Sequence, residues 1–503
     1  MQPLDLQNET AHSFVVFGAS GKLAKRKIFP ALWALYRDNR LPQFTQIYTF
    51  SRTMMHTSEF RIWCVPYMHL DRDRDPKKYN SFWTNVHCVQ GQYDQTQDYI
   101  TLNETMSAYE TKHNMTLANR VFYLALPPIV FDAVTLNISR KCVSNTGWNR
   151  IVVEKPFARN DITFKPYQTQ LCQCFKESQI YMIDHYLGKQ MVQDMMALRF
   201  SNCLWGDTWD NRHIAAIMIS VKCDKPVVAR PDYFDSYGII RDVMTNHMMQ
   251  LLALIAMEPP YTGDVEGVRE EKLKVLKDVV SPDLSDVIVG QYVNNGRESD
   301  LFKVGYLEHH YIPKNSITPT YAMVVLRINN KRWSGVPFIL RAGKALNESK
   351  VEVRVQYKAM ECEILEGMET KRNELVMCLA PKEHVFMRVM LKKPGEKLCL
   401  QESNLNLTLR DPRICVPQNF HSLLLDVLEG SQMLFMRSDE QCEIWRIFSP
   451  LLSALEADRI KPIPYALGSW GPMAAYRKAV KHGFLFYHSA EAHEGRQSLT
   501  PQL

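Results

Sequence analysis

A chain of 503 residues exceeds one ordinary domain and sets an expectation of two or three. Its apolar share of 46% can fill sizeable cores, its net charge of +6 is mild, and no run of like charges marks a nucleic-acid-binding face. No apolar stretch is long enough to span a membrane, the polar segment Met1 to His12 lacks the apolar heart of a secretory leader, and the 12 cysteines are scattered (Cys172 and Cys174 form only a CxC). The expectation is a soluble, cytoplasmic protein with reduced thiols, no metal site, and no nucleic-acid or membrane partner.

Ser13 to Phe17 is a short apolar run broken at Gly18, and Leu23 to Asp38 carries helical periodicity through Leu23, Ile28, Leu32, Leu35 and Tyr36. Val121 to Leu126 reads as a buried strand closed by Pro127-Pro128, with a helical stretch to Cys142 after it; Arg150 to Val153 is another, closed by Glu154-Lys155-Pro156. Strands alternating with helices predict a Rossmann-like, doubly wound parallel α/β domain over residues 12–184. From residue 185 to 488 the pattern changes. Ala215 to Lys222, Tyr321 to Ile328, Val351 to Tyr357, Glu374 to Leu379 and Val385 to Leu391 are strand-like with few long helices between them, which predicts an α+β domain built on a large, mostly antiparallel sheet. Phe234 to Met257 is its longest helical candidate, and residues 1–11 and 489–503 read as flexible tails.

Between the first strand and first helix stands Gly18-Ala19-Ser20-Gly21-Lys22-Leu23-Ala24. Gly18 permits a tight turn, Gly21 lets backbone approach a pyrophosphate, and small Ala24 permits close helix–strand packing; such loops also serve as plain strand–helix turns. The second strand ends in Tyr48-Thr49-Phe50-Ser51-Arg52, without the acid that binds the ribose hydroxyls of NAD and with an arginine available to the 2′-phosphate of NADP.

Three further segments offer chemistry. Ile183-Asp184-His185-Tyr186-Leu187-Gly188-Lys189 follows an apolar strand, and a helix beginning near Tyr186 would face His185 and Lys189 toward one ligand; a capped helix start with incidental charges is the bland alternative. Lys155 precedes a proline, in a bond with an accessible cis form. His247 lies among Met244, Met248, Leu251 and Leu252, a setting more usual for a core histidine than for a base.

Together these segments resemble glucose-6-phosphate dehydrogenase, and the resemblance runs from Phe14 to about Phe486, through Phe122 to Pro128, Phe338 to Lys344 and Trp445 to Phe448. It implies NADP-linked oxidation of glucose 6-phosphate to 6-phosphoglucono-lactone, the entry step of the pentose phosphate pathway, by a homodimer or tetramer. It assigns His247 as the base on the C1 hydroxyl and Asp184 as the acid that orients it, a pairing suited to a histidine that titrates near neutral pH. His185, Tyr186 and Lys189 would grip the sugar phosphate, Lys155 and Asp242 the sugar, and Lys344 would close the site. Residues Gly18, Ala19, Ser20, Gly21, Lys22, Leu23, Ala24 and Lys25, with Ser51, Arg52, Phe131 and Lys155, would hold the cofactor. A second, structural NADP site of eukaryotic members maps to Arg341, Lys350, Arg354, Arg388 and Arg446.

The chain departs from the family at specific places. Lys22 replaces an aspartate, Ser51 an arginine and Phe131 a tyrosine. Cys223, Ser349 and Ala380 stand where an acid, an arginine and a glutamine contact the substrate. Each lost hydrogen bond costs about 1–3 kcal/mol, which implies a raised KM. Cys378, Asn406 and Phe486 remove polar groups from the structural site. A dehydrogenase of another sugar phosphate and a catalytically impaired regulatory paralogue are the alternative readings.

Overall fold

The computed structural model describes residues 10–68, 76–228, 230–294, 304–360, 362–363, 370–395, 399–409 and 419–487. Most of the two segments read as tails therefore lies outside the described residues, although the first strand already begins at Thr10. Two compact units emerge, one from Met1–Gly188, Thr262–Arg269 and Val416–Cys442, the other from Lys189–Tyr261, Glu270–Cys415 and Glu443–Leu503.

In the first unit six strands form one sheet: β1 (Thr10–Phe17), β2 (Thr45–Ser51), β3 (Val86–Gln90), β4 (Leu117–Leu124), β5 (Asn149–Glu154) and β6 (Ile180–Ile183). Their order is β3-β2-β1-β4-β5-β6 and every pair is parallel. Strands covered on both faces need apolar residues throughout, which is why β2 and β6 are buried along their whole length. β3, with the sequence VHCVQ, lacks that signature and is set by its pairing with β2.

Two later segments complete this unit. Arg150 on β5 donates Nη1 to the carbonyls of Val427 and Leu428 at 2.6 and 2.8 Å, and Gln432 donates to the carbonyls of Glu177 and Ile180. Arg269, almost fully buried, pairs with Glu177 at 3.2 Å.

The second unit is built on β7 (Ile214–Lys222), β8 (Val279–Val280), β9 (Val287–Val293), β10 (Tyr321–Ile328), β11 (Phe338–Gly343), β12 (Lys350–Tyr357), β13 (Glu374–Ala380), β14 (His384–Lys392), β15 (Leu400–Leu407) and β16 (Ile463–Ala466). The order is β15-β14-β13-β12-β7-β11-β10-β9-β16, with β8 pairing β10. Most pairs are antiparallel; β7–β11 and β9–β16 are parallel. The continuous helix expected over Phe234 to Met257 is broken. It consists of Pro231–Ile239, a wide π-helical stretch Ile240–Met248, and an α-helix Met249–Ala256. Gly238, at φ 69°, turns the backbone out of helical geometry, a conformation that costs glycine little. All eight residues of Met249–Ala256 are buried, so the apolar run reports core burial on every side rather than one amphipathic face.

Candidate active site

The loop after β1 is shaped by what glycine alone allows. Gly18 has φ 78°, and a Cβ there would stand 2.4 Å from the carbonyl oxygen of Ala125. Its N–H reaches the Phe50 carbonyl, its own carbonyl accepts from Gly21 at 2.9 Å, and the Ala125 N–H donates to the Phe17 carbonyl at 3.0 Å, so the ends of β1, β2 and β4 are tied at one point. Ala19 and Ala24 are buried, Ser20 and Lys22 exposed, and Gly21, Leu23 and Lys25 half-buried. The helix that follows opens with a π-helical turn, Ala24–Ile28, of the kind found at ligand sites. A tight glycine turn feeding an apolar-packed helix start fits a pyrophosphate.

At the end of β2 the two candidates separate. Ser51 is buried and its hydroxyl donates to the carbonyl of Thr53 at 2.7 Å. Arg52 is exposed, with its guanidinium 5.5 Å from the centre of the Tyr93 ring. The serine is occupied locally, and the arginine at the next position offers the charge a 2′-phosphate needs. Phe131 has no exposed surface and its ring lies 5.7 Å from Tyr167.

The C-terminal ends of β4, β5 and β6 carry the next group. Tyr123 donates its hydroxyl to Glu154 at 2.5 Å, and both side chains are buried. Burial pushes the Glu154 carboxyl up to about 7; the Tyr123 hydroxyl and the neighbouring Lys155 act in the opposite direction, and Asp184 adds to the rise. Nothing in the local pattern of Glu-Lys-Pro singles out Tyr123 as its partner. Lys155 is half-buried and its bond to Pro156 is cis.

Asp184 is almost wholly buried, and its Oδ1 accepts from the Tyr186 N–H at 2.8 Å while its carbonyl accepts from Leu187. This side-chain turn takes the place of the helix start expected near Tyr186. The helix begins at Gln190, with Lys189 as its N-cap, so His185 and Lys189 do not share a helical face. The reason is local competition: an aspartate bonding two residues ahead stabilises a turn rather than a helix. Gly188, just after the turn, lets a distant segment pack close, since a Cβ there would lie 2.6 Å from the Asn419 carbonyl. His185 and Tyr186 are half-buried, and the imidazole stacks 6.4 Å from Phe420, a residue distant in sequence.

In the second unit His247 and Asn246 are buried on the π-helical stretch, and Asp242 lies half-buried at its start. The His247 N–H donates to Oδ1 of Asn246 at 2.7 Å. Lys344 follows β11, and its Nζ stands 3.9 Å from Asp242. Its backbone is held on both sides, N–H to the Thr320 carbonyl and carbonyl from the Tyr465 hydroxyl at 2.7 Å. Neither Thr320 nor Tyr465 is marked by any motif.

Cys223, just past β7, bonds through its N–H to the Gly343 carbonyl, which places it beside Lys344 along the backbone. Ser349 is exposed and its hydroxyl donates to Asp224, the residue after Cys223. Ala380 is half-buried at the end of β13. Arg341, Lys350, Arg354 and Arg388 lie on β11, β12 and β14. Arg446 is engaged elsewhere: it pairs with Glu443 at 2.5 Å and donates to the carbonyls of Leu276, Lys277 and Val279.

A parallel dinucleotide-type sheet with a glycine turn, followed by a large-sheet unit bearing a buried histidine and a lysine–aspartate pair, defines a nicotinamide-dependent oxidoreductase. Residues 15–194 match the model of the glucose-6-phosphate dehydrogenase NAD binding domain, and residues 196–487 that of the C-terminal domain. The chain belongs to the glucose-6-phosphate dehydrogenase family. It is 46% identical to the glucose-6-phosphate 1-dehydrogenase of Ceratitis capitata, over 95% of this chain and 90% of the relative. It is also 46% identical to that of Drosophila melanogaster, over 96% and 92%. A solved glucose-6-phosphate dehydrogenase in complex with its substrate glucose-6-phosphate superposes with a TM-score of 0.90 at 35% identity, covering 95% of this chain and 99% of that one.

Proposed function

We propose that His247 is the base of an NADP-dependent oxidation of glucose 6-phosphate to 6-phosphoglucono-lactone, the reaction this chain carries out as a member of its family. The observation that carries the reading is the pair of family matches in succession, spanning both units without interruption of the candidate residues. NADP supplies the hydride acceptor when bound; Gly18 to Lys25 would receive its pyrophosphate and Arg52 its 2′-phosphate. His247 takes the proton of the C1 hydroxyl, and Asp184 stabilises the imidazolium that results. His185, Tyr186 and Lys189 bind the phosphate, Lys155 and Asp242 hold the sugar, and Lys344 positions Asp242 by charge. A substrate phosphate suits a site with a histidine, a phenol and lysines, because each donates a hydrogen bond to an anionic oxygen.

Purified protein titrated with glucose 6-phosphate, with NADP and NAD in parallel, tests this directly. Saturable NADPH formation that falls by about 10²–10⁴-fold in His247→Asn, with the variant still folded, is the expected result. An equal rate in the variant overturns the assignment of the base.

The same reading extends to a homodimer or tetramer in the cytoplasm. β15 ends the sheet order, and Leu391, Leu405 and Leu407 on β14 and β15 are exposed, a strand edge and apolar surface suited to a second copy. The described cysteines are all free, in keeping with a reducing compartment, and no described helix is long and apolar enough to cross a membrane. Light scattering should give at least a dimer mass, reduced by Leu405→Lys.

A further inference from the structure

Of the cations that the family resemblance assigns to a structural dinucleotide, Lys350, Arg354 and Arg388 are paired with carboxylates on the same sheet. Glu374, with no exposed surface, accepts from Arg354 at 3.0 Å, from Arg388 at 2.8 Å and from Gln356 at 3.0 Å. Glu402 pairs with Arg388 at 3.0 Å and with Lys371 at 3.3 Å. Glu352 pairs with Lys350 at 2.8 Å. Although burial raises the Glu352 carboxyl, Arg354, Lys350 and Arg341 hold it down at about 2, so it is a carboxylate throughout the physiological range. Arg341 donates to the Ser220 hydroxyl at 3.1 Å.

The residues 483–487 lie across this lattice. Gln356 donates to the Leu485 carbonyl at 2.6 Å and accepts from the Leu485 N–H at 3.0 Å. Arg372 donates its Nη1 to the Gly483 carbonyl at 2.6 Å and its backbone N–H to the Tyr487 hydroxyl at 3.2 Å. The rings of Phe484 and Phe486 stand 5.9 and 6.0 Å from the guanidinium carbons of Arg354 and Arg341. Arg446 caps the C-terminal end of the helix Val265–Asp278, and buried Cys378 supplies no charge where the resemblance expects an arginine. A phosphate entering here would meet the buried carboxylates of Glu374, beside Arg354 and Arg388, and of Glu352, beside Lys350, and cations in close pairs have less to offer it.

We infer that this face of the large sheet does not fit a dinucleotide: Lys350, Arg354 and Arg388 are paired with Glu352, Glu374 and Glu402, and residues 483–487 are bonded to Gln356 and Arg372 beside them, so the chain takes one NADP, in the first unit, and the second unit folds without it. The inference rests on the family reading for the site it excludes.

Native mass spectrometry of the full-length protein with NADP, paired with thermal melting, tests it. One equivalent per chain is expected, and Arg52→Ala should weaken it about ten- to a hundredfold, moving the NADP-dependent rise in melting temperature to correspondingly higher concentration. Two equivalents overturn the inference, as does a single equivalent, or a melting shift, whose concentration dependence is unchanged in folded Arg52→Ala. Binding of none supports the exclusion while removing the proposed cofactor site, so the two readings fail separately.

Discussion

Glu154 is where a buried charge makes a measurable prediction. Its carboxyl is raised from the ordinary 4.5 to about 7 by burial, with the Tyr123 hydroxyl and Lys155 opposing and Asp184 adding to the rise. Between these two values the folded protein holds a proton that the unfolded chain has released. Stability from this group is therefore complete below pH 4.5 and is lost as pH rises through about 7. At 1.36 kcal/mol per tenfold change in proton affinity, the loss amounts to about 3 kcal/mol. Glu154→Gln keeps an acceptor for Tyr123 and cannot ionise. The variant should gain about 3 kcal/mol on the unaltered protein between pH 4.5 and pH 8, a relative rise of about 6–12 °C in the melting temperature of the first unit. Thermal melting of both proteins across that pH range, followed by a probe in the first unit, measures it. Asp426, also pushed up to about 7 by burial and by nearby Glu429, is present in both and cancels. Parallel curves for the two proteins, or a Glu154 that stabilises more at pH 8 than at pH 5, would refute the reasoning.

Arg52→Ala should raise the KM for NADP by about ten- to a hundredfold, the value of a charge-assisted hydrogen bond, and leave that for NAD nearly unchanged; equal effects on both would show that Arg52 does not meet the 2′-phosphate. Gly18→Ala places a methyl 2.4 Å from the Ala125 carbonyl at a positive φ, so it should abolish NADP-linked activity, and an unaltered KM would show that the loop gives way. Cys223→Glu, restoring an acid next to Gly343 and Lys344, should lower the KM for glucose 6-phosphate by about tenfold with kcat little changed; a KM that stays put would place the sugar elsewhere.

Much of this was legible because the signals are local. The glycine turn after β1 needs only a short stretch of chain and the strand before it. Apolar runs at β1, β4, β5 and β6, alternating with helical periods, are enough for a parallel sheet, and Tyr321–Ile328 emerges as a strand with the bounds read from its pattern. The turn at Asp184 was within reach as well, since an aspartate bonding two residues ahead is a local motif, yet helical periodicity downstream drew the expected helix start too early.

Other features depend on partners far away in the chain. Tyr123 and Glu154 meet because β4 and β5 pair in register, and burial at that meeting sets the Glu154 proton affinity. Phe420 reaches His185, and Val427 and Leu428 receive Arg150, only because a late segment returns to the first unit. The bland sequence of β3 becomes a strand through its neighbour β2. Arg446 has the chemistry of a phosphate ligand, but the carbonyls of Leu276, Lys277 and Val279 claim it, just as Glu374 claims Arg354 and Arg388. A side chain's type is written in the sequence and limits what it can bind. Which of several competing partners reaches it first is decided by packing, because a charge shut away from water keeps the nearest partner it can find.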